Sequence, residues 1–318
     1  MTTNDHTVPQ MYLKRFADRR GRKYEIIARR VDDLGNPFKT TVKSVTAVNG
    51  FYWGTTPDGV PHHEAEKLLS QIEGDASPVF DEILDDSLYA LPYRWPLGDE
   101  ERIRLSWWIA AQLLRTTRQR KRLAYLAERE GLGASAGVRS VTDNNTHLEF
   151  MARQLAAVAF VLYQRPWGLG FSDACLLTSD VPVVILNGHD DENQLLSASF
   201  WDILLPLDPH RLLLMPGVSA QERDPRKRRD HRFKLDGGLG IFVNRVLFDA
   251  ADMHVLHHPH HDPIRFLKEG DGPRLATPWT GEAASSPEYV LSYGVLHPEF
   301  TVERRWLTEH PPPARVAG

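Results

Sequence analysis

Cysteine is almost absent: Cys175 is the single one in 318 residues, which excludes an intramolecular disulfide. Its setting, Ala174-Cys175-Leu176-Leu177, offers no nearby positive charge to hold a thiolate. It reads as a small residue bound for a core rather than a nucleophile. Long apolar runs are missing as well. The longest, Leu155 to Leu162, falls far short of the roughly 20 residues that span a bilayer. The first ten residues are polar and acidic where a secretory leader needs an apolar stretch, so cytoplasm is the expected compartment. The net charge is only −4, so any attraction to nucleic acid or membrane must come from local patches. There is no internal repeat, no glycine-rich phosphate loop and no Gly-x-Ser-x-Gly elbow. Those absences argue against solenoids, P-loop enzymes and a hydrolase triad.

What is present is ordinary globular material, 42% hydrophobic and 25% charged. A short helical turn over residues 9–17 opens at Pro9 and turns Met11, Leu13 and Phe16 inward. Tyr24 to Val31 reads as a strand. It is followed by a long loop through Gly35-Asn36-Pro37 and a second strand near Thr41 to Val48. Helices are predicted over 62–86, over 99–129 with an acidic first turn, and over 144–164, where Leu148, Met151, Leu155, Val158 and Leu162 recur every three or four residues. Later come short strands at Ala174–Leu177, Val183–Leu186, Ile203–Leu207 and Arg211–Met215, with a hairpin corner at Pro206 to His210. A helix over 239–251 and a strand at Met253–His257 complete the order. The pattern predicts an α+β fold with a helix-rich first half, short antiparallel strands in the second half and a single large core. Residues 1–268 form the expected domain. Residues 269–318, with seven prolines, are expected to be a tail lying over the core or partly disordered.

The run His6-x-Val8-Pro9-Gln10-x-Tyr12-Leu13-x-x-Phe16 resembles the opening signature of a widespread, mainly bacterial family of unknown function. Further elements follow in the family's order: Asn49-Gly50-Phe51-Tyr52, a glutamate-bearing helix with Glu66 and Glu73, Gln112 to Thr116, Thr178-Ser179-Asp180-x-Pro182, Pro206 to Pro209, and Asn244. The resemblance covers roughly residues 1–260 and implies no assigned catalytic residue.

Read for chemistry, these positions give a candidate site. His6, beside a helix start, suits proton exchange near neutral pH, or a hydrogen bond that simply pins the N-terminus. Gln10, one turn on, can face the same way. Glu66 and Glu73 share a helix face about 10 Å apart, too far for a proton-sharing dyad but able to reach one cation. Arg115 is the candidate cation, since it follows an apolar stretch and a buried arginine must be paired. With Gln112 on the same face it forms either an internal network or a clamp for a carboxylate or phosphate. Ser179 and Asp180 stand at a strand end, as active-site groups or as turn formers.

The histidines from His254 to His261 have no recognised metal-ligand spacing, so a solvent-facing loop is expected and no metal site is assigned. Neither is a cofactor. Three basic clusters could contact phosphates if they share a face. They are Arg19, Arg20, Arg22 and Lys23; Arg115, Arg118, Arg120, Lys121 and Arg122; and Arg226, Lys227, Arg228, Arg229 and Arg232.

Two readings of different class follow, and the oligomeric state is open under both. One is a hydrolase acting on a phosphodiester or other anionic substrate, with His6 and Asp180 catalytic. Gln10, Glu73, Gln112, Arg115, Ser179 and Asn244 would then hold the substrate. The other is a non-catalytic module that binds a nucleic acid, nucleotide or protein.

Overall fold

The computed structural model describes residues 4–84, 95–121, 144–186, 202–216 and 230–267. The predicted tail at 269–318 lies outside them. The fold is mixed α+β, but its strands begin at once. Seven precede the first long helix: β1 (Asn4–His6), β2 (Asp18–Arg20), β3 (Lys23–Arg30), β4 (Asp33–Thr41), β5 (Ala47–Asn49), β6 (Gly54–Thr55) and β7 (Pro61–His62). The expectation of a helix-rich first half is therefore corrected. Only a short helix, α1 (Gln10–Leu13), and a 3-10 turn (Lys14–Phe16) interrupt these strands. Pro9 caps α1 from outside. Tyr12, Leu13 and Phe16 are fully buried, while Met11 is only partly so.

Three helices form the bulk of the interior. α2 (Glu64–Leu84) buries Leu69, Ile72, Ala76, Val79, Phe80 and Ile83, one stripe at helical spacing. α3 (Asp99–Leu114) is buried on every side from Leu105 to Leu114, and packs against α2 and α4 (Asn144–Gln164). The helix predicted to run to residue 129 breaks at Arg115–Thr116. Arg115 closes α3, and Thr116 Oγ1 accepts a hydrogen bond from the Gln119 amide (3.2 Å), capping a new helical turn over 117–121. Residues 122–129 lie outside the described part.

The remaining strands are β8 (Gly168–Ser172), β9 (Thr178–Ser179), β10 (Val184–Leu186), β11 (Asp202–Asp208), β12 (Arg211–Met215), β13 (His231–Leu235) and β14 (His254–His257), with α5 (Gly237–Ala250) before β14. One five-stranded sheet has the order β10-β11-β12-β8-β13. In it β13 runs parallel to β8, so the second-half strands are not all antiparallel. In the other sheet β3 pairs with β4 along one edge and with β2 and then β14 along the other, and β14 carries β9. The segment 178–186 thus passes from one sheet to the next. Buried apolar residues among the described ones fall into two clusters rather than one. The larger surrounds α2, α3 and α4, and the smaller lies between α5 and the sheets. No helix of the described residues is long and apolar enough to cross a membrane.

Several strands were not expected from the sequence, and for two of them, β4 and β8, the physical reason is plain. β4 contains Gly35-Asn36-Pro37, which reads as a turn. It pairs only with β3, however, and an edge strand tolerates a proline without an amide donor. β8 contains Gly168 and Gly170, which weaken the pattern of a strand. A Cβ on Gly170 would come within 2.4–2.8 Å of Leu235 and Phe233, so β13's side chains occupy the space that two missing side chains leave. The strand expected at Ala174–Leu177 is irregular.

Gly170→Ala is expected to lower the unfolding free energy by about 2 kcal/mol through overpacking. Gly74→Ala, on the exposed side of α2 with nothing within 4 Å, should raise it by about 0.5–1 kcal/mol. Urea titrations of both variants check the contrast, and equal effects would contradict the packing of β8 on β13.

Candidate functional site

Arg115 is 1% exposed, and every nitrogen of its guanidinium is engaged. Nη1 meets Glu73 Oε1 on α2 at 2.6 Å, Nη2 donates to the His6 carbonyl on β1 at 2.5 Å, and Nε donates to Tyr52 Oη at 2.9 Å. Burial alone would depress its pKa, but Tyr52 and Glu73 outweigh that and hold it above the ordinary value. Burial pushes the Tyr52 phenol up to about 12, so it keeps its proton. The Tyr52 amide in turn donates to buried Asp5 Oδ2 at 2.9 Å. The His6 ring lies on the other side of β1, its Nε2 3.0 Å from the Lys43 carbonyl and 3.2 Å from Gln10 Nε2. Of the predicted residues, Glu73 and Arg115 meet side chain to side chain, His6 joins them only through its backbone carbonyl, and its ring contacts Gln10 away from the node. Tyr52 and Asp5, which complete the node, were missed. The strand alternation that turns Asp5 inward as His6 turns outward was the available signal.

The other predicted residues lie elsewhere. Ser179 Oγ donates to the Val181 carbonyl and accepts from the Val181 amide, closing a local turn. The Asp180 carboxylate accepts from the Asp252 and Met253 amides at 3.0 and 2.7 Å, tying β9 to the start of β14. Burial pushes its pKa up to about 6 against those backbone hydrogen bonds. Asn244 of α5 accepts from the Leu177 amide (2.9 Å) and donates to the Cys175 carbonyl (2.8 Å), which satisfies the irregular segment expected to be a strand. Cys175 is half-buried, and its thiol is pushed up to about 11 by burial and then by Asp208. Gln112 is buried with neither amide atom hydrogen-bonded among the described residues, so it is no part of the Arg115 network.

A groove of about 1460 Å³ runs between the first halves of α2 and α4, beside β6 and β7. Leu68, Leu69, Leu148, Met151 and Leu155 give it an apolar wall. Glu64, Glu66 and Glu149 line it, against one lysine, Lys67. None of the predicted catalytic or substrate-binding residues lines it. Glu66 joins the groove to the Arg115 node. Burial raises its pKa, Arg115 opposes the rise, and Asp5 and Glu73 add to it. Glu66 Oε2 is buried without a hydrogen-bond partner among the described residues.

The histidines of the β14 exit do gather. The His258 ring lies 4.9 Å from that of His260 and 5.8 Å from that of His261, with His210 beyond. Among the described residues, no group of three or more His, Cys, Asp or Glu is arranged to hold a metal ion. The second basic cluster is largely internal. Arg118 is buried against the Ala250 carbonyl. Arg120 stacks over Phe51 and donates to the Phe51 carbonyl and Asn144, and Lys121 pairs with Asp252. Arg226 to Arg229 lie outside the described residues. Arg120 also donates to His147 Nδ1 (3.2 Å), while His147 Nε2 lies 2.8 Å from the Leu114 carbonyl, which fixes a neutral ring. Burial, then the charge of Arg120, pushes His147 down to about 3.

The chain belongs to the DUF4238 family, a protein family of unknown function, whose model matches residues 4–261. No curated protein and no solved structure matches it.

Arg115→Met should cost about 3 kcal/mol of stability, because it strands Glu73 and the His6 carbonyl. Glu73→Gln, which keeps an acceptor, should cost about 1 kcal/mol. Urea unfolding measures both, and losses below about 0.5 kcal/mol would dissolve the node as a determinant of stability.

His147 gives a pH effect of definite sign. Its folded pKa lies below the unfolded value, so the unfolded chain binds the extra proton and stability falls as pH drops below about 6.5. By pH 5 wild type should lose about 2 kcal/mol more, relative to pH 7, than His147→Gln. Parallel pH slopes for the two proteins would count against a buried neutral ring.

Proposed function

We propose that this protein is a cytoplasmic binding module whose ligand seat is the groove between α2 and α4, and that the ligand has an apolar body and a cationic head. The observation that carries the reading is Glu66. It is a carboxyl lining an apolar groove, partly withdrawn from water, with one buried oxygen that has no partner among the described residues. Such a group favours a ligand that brings a hydrogen-bond donor with positive charge. Three glutamates against one lysine oppose an anionic substrate. The donors of Arg115 and the carboxylate of Asp180 are already engaged by the fold, which supports binding over hydrolysis at the residues first considered. The near-absence of cysteine suits a reducing compartment.

A second reading has one observation in its favour. A carboxyl with a raised pKa beside a groove is what a general acid requires, so Glu66 could serve a hydrolase.

Titration of the whole chain with n-octylammonium and n-octanoate, read by thermal shift and tryptophan fluorescence, separates the outcomes. The amine should bind at least about tenfold more tightly, and Glu66→Gln should erase the preference. No response to either probe, or a preference for octanoate, would overturn the binding proposal. Turnover of nitrophenyl esters or phosphodiesters that disappears in Glu66→Gln would establish the enzyme instead.

A further inference from the structure

Positive charge is concentrated in the N-terminal sheet. Residues 14–43 contain ten lysines and arginines against four acids, +6 in a chain whose net charge is −4. Several of these charges are matched. Arg15 pairs with Asp81, Arg29 with Asp262, and Arg30 with Asp32. At the turn end of the β2–β3 hairpin the matching stops. Arg19, Arg20, Arg22 and Lys23 are all exposed there, with exposed Lys14 and Lys43 nearby. Arg20 has Asp18 at 2.9 Å, whereas Lys14, Arg19, Arg22, Lys23 and Lys43 have no acidic partner among the described residues.

The strand register sharpens the point. Arg20 stands directly opposite Lys23, and like charges facing across a strand pair destabilise it. The turn between them is only two residues long and has Gly21 at φ +61°, so the side chains project from a short, well-defined scaffold. Lys14 lies 5.2 Å from the Tyr24 ring centroid, and Tyr24 pairs with Arg19, which places an aromatic between two cations. Charges held this way, facing water and short of counter-charges, are stabilised by an external polyanion.

We propose that the turn end of the β2–β3 hairpin, with Lys14 and Lys43 beside it, binds the phosphodiester backbone of a nucleic acid. The site is separate from the α2–α4 groove and independent of its ligand. A nucleic acid fits better than an anionic membrane, because the hairpin end offers no large exposed apolar side chain to insert. The exposed Phe38 lies opposite Ala28, about 16 Å further along the strand. Nothing in the arrangement reads bases, so binding is expected to be indifferent to sequence.

The test is fluorescence anisotropy of labelled DNA, a single strand and a duplex of about 20 units each, with the full chain from about 50 to about 300 mM KCl. With about four phosphates neutralised, the logarithm of affinity should fall against the logarithm of salt with a slope of about −3. The double variant Arg22→Glu, Lys23→Glu alters two exposed residues, and circular dichroism confirms that it folds. It should bind at least about tenfold more weakly, with a slope shallower by about 2. No binding at the lowest salt, an unchanged affinity in the variant, or equal binding to phosphatidylserine vesicles would each overturn the proposal.

Discussion

The guanidinium of Arg115 is buried in a place where it cannot be hydrated, and much of the fold is arranged around that fact. A buried cation is tolerated only when charge and hydrogen bonds meet it on all sides. Here the partners come from three distant stretches: β1 through the His6 carbonyl, the turn at Tyr52, and α2 through Glu73. Satisfying one side chain therefore fixes the N-terminal strand on the helical layer. It also coincides with the break between α3 and the helical turn at 117–121. Arg115 closes α3 with φ −92° and ψ −7°, so the residue that ends the helix is the one whose side chain holds the neighbouring elements.

The same logic recurs at smaller scale. Tyr12 hydrogen-bonds at 2.8 Å to both Thr178 Oγ1 on β9 and the Pro206 carbonyl on β11, joining α1 to both sheets. Asn244 satisfies the backbone at Cys175 and Leu177, and Asp180 that at Asp252 and Met253. Each of these side chains lies in a motif that drew attention in the sequence; Asn244 and Asp180 complete hydrogen bonds that irregular backbone would otherwise lack, and Tyr12 ties a threonine side chain to a strand carbonyl. Polar residues inside apolar segments suggest chemistry on paper. In three dimensions the same residues serve as joints, because a chain that passes between two sheets leaves amides and carbonyls that no ladder satisfies.

This explains what was legible. α4 and the β11–β12 hairpin could be read because their apolar spacing answers to one neighbouring layer. α3 could be read at its acidic start but not at its end, since the stop is set by a long-range partner and not by glycine or proline. β4 and β8 were hidden by residues that usually mark turns, Pro37 and Gly170, and each is accommodated by its place in a sheet. For the candidate site, the pairing of Glu73 with Arg115 was accessible from the rule that a buried arginine must be paired, whereas the part played by the His6 carbonyl was not. Glu66 stood out only as a possible salt-bridge partner, because the groove that it lines is built by α4, eighty residues away, and no local pattern announces it.

The fate of the arginines makes the final distinction. Arg115, Arg118, Arg120 and the group at Arg19 to Lys23 look alike as basic clusters, yet the first three are drawn inward by carbonyls, a carboxylate and an aromatic face. A guanidinium can accept that fate because its planar fork reaches several acceptors at once. The hairpin offers few such acceptors, Asp18 to Arg20 and the Gly21 carbonyl to Arg19, and its basic side chains stay exposed. Removing one basic cluster to the interior while leaving another outside gives the molecule two chemically opposed surfaces. One is the groove lined by Glu64, Glu66 and Glu149, and the other is the cationic hairpin end. The two surfaces differ in the sign of charge that each presents to the solvent.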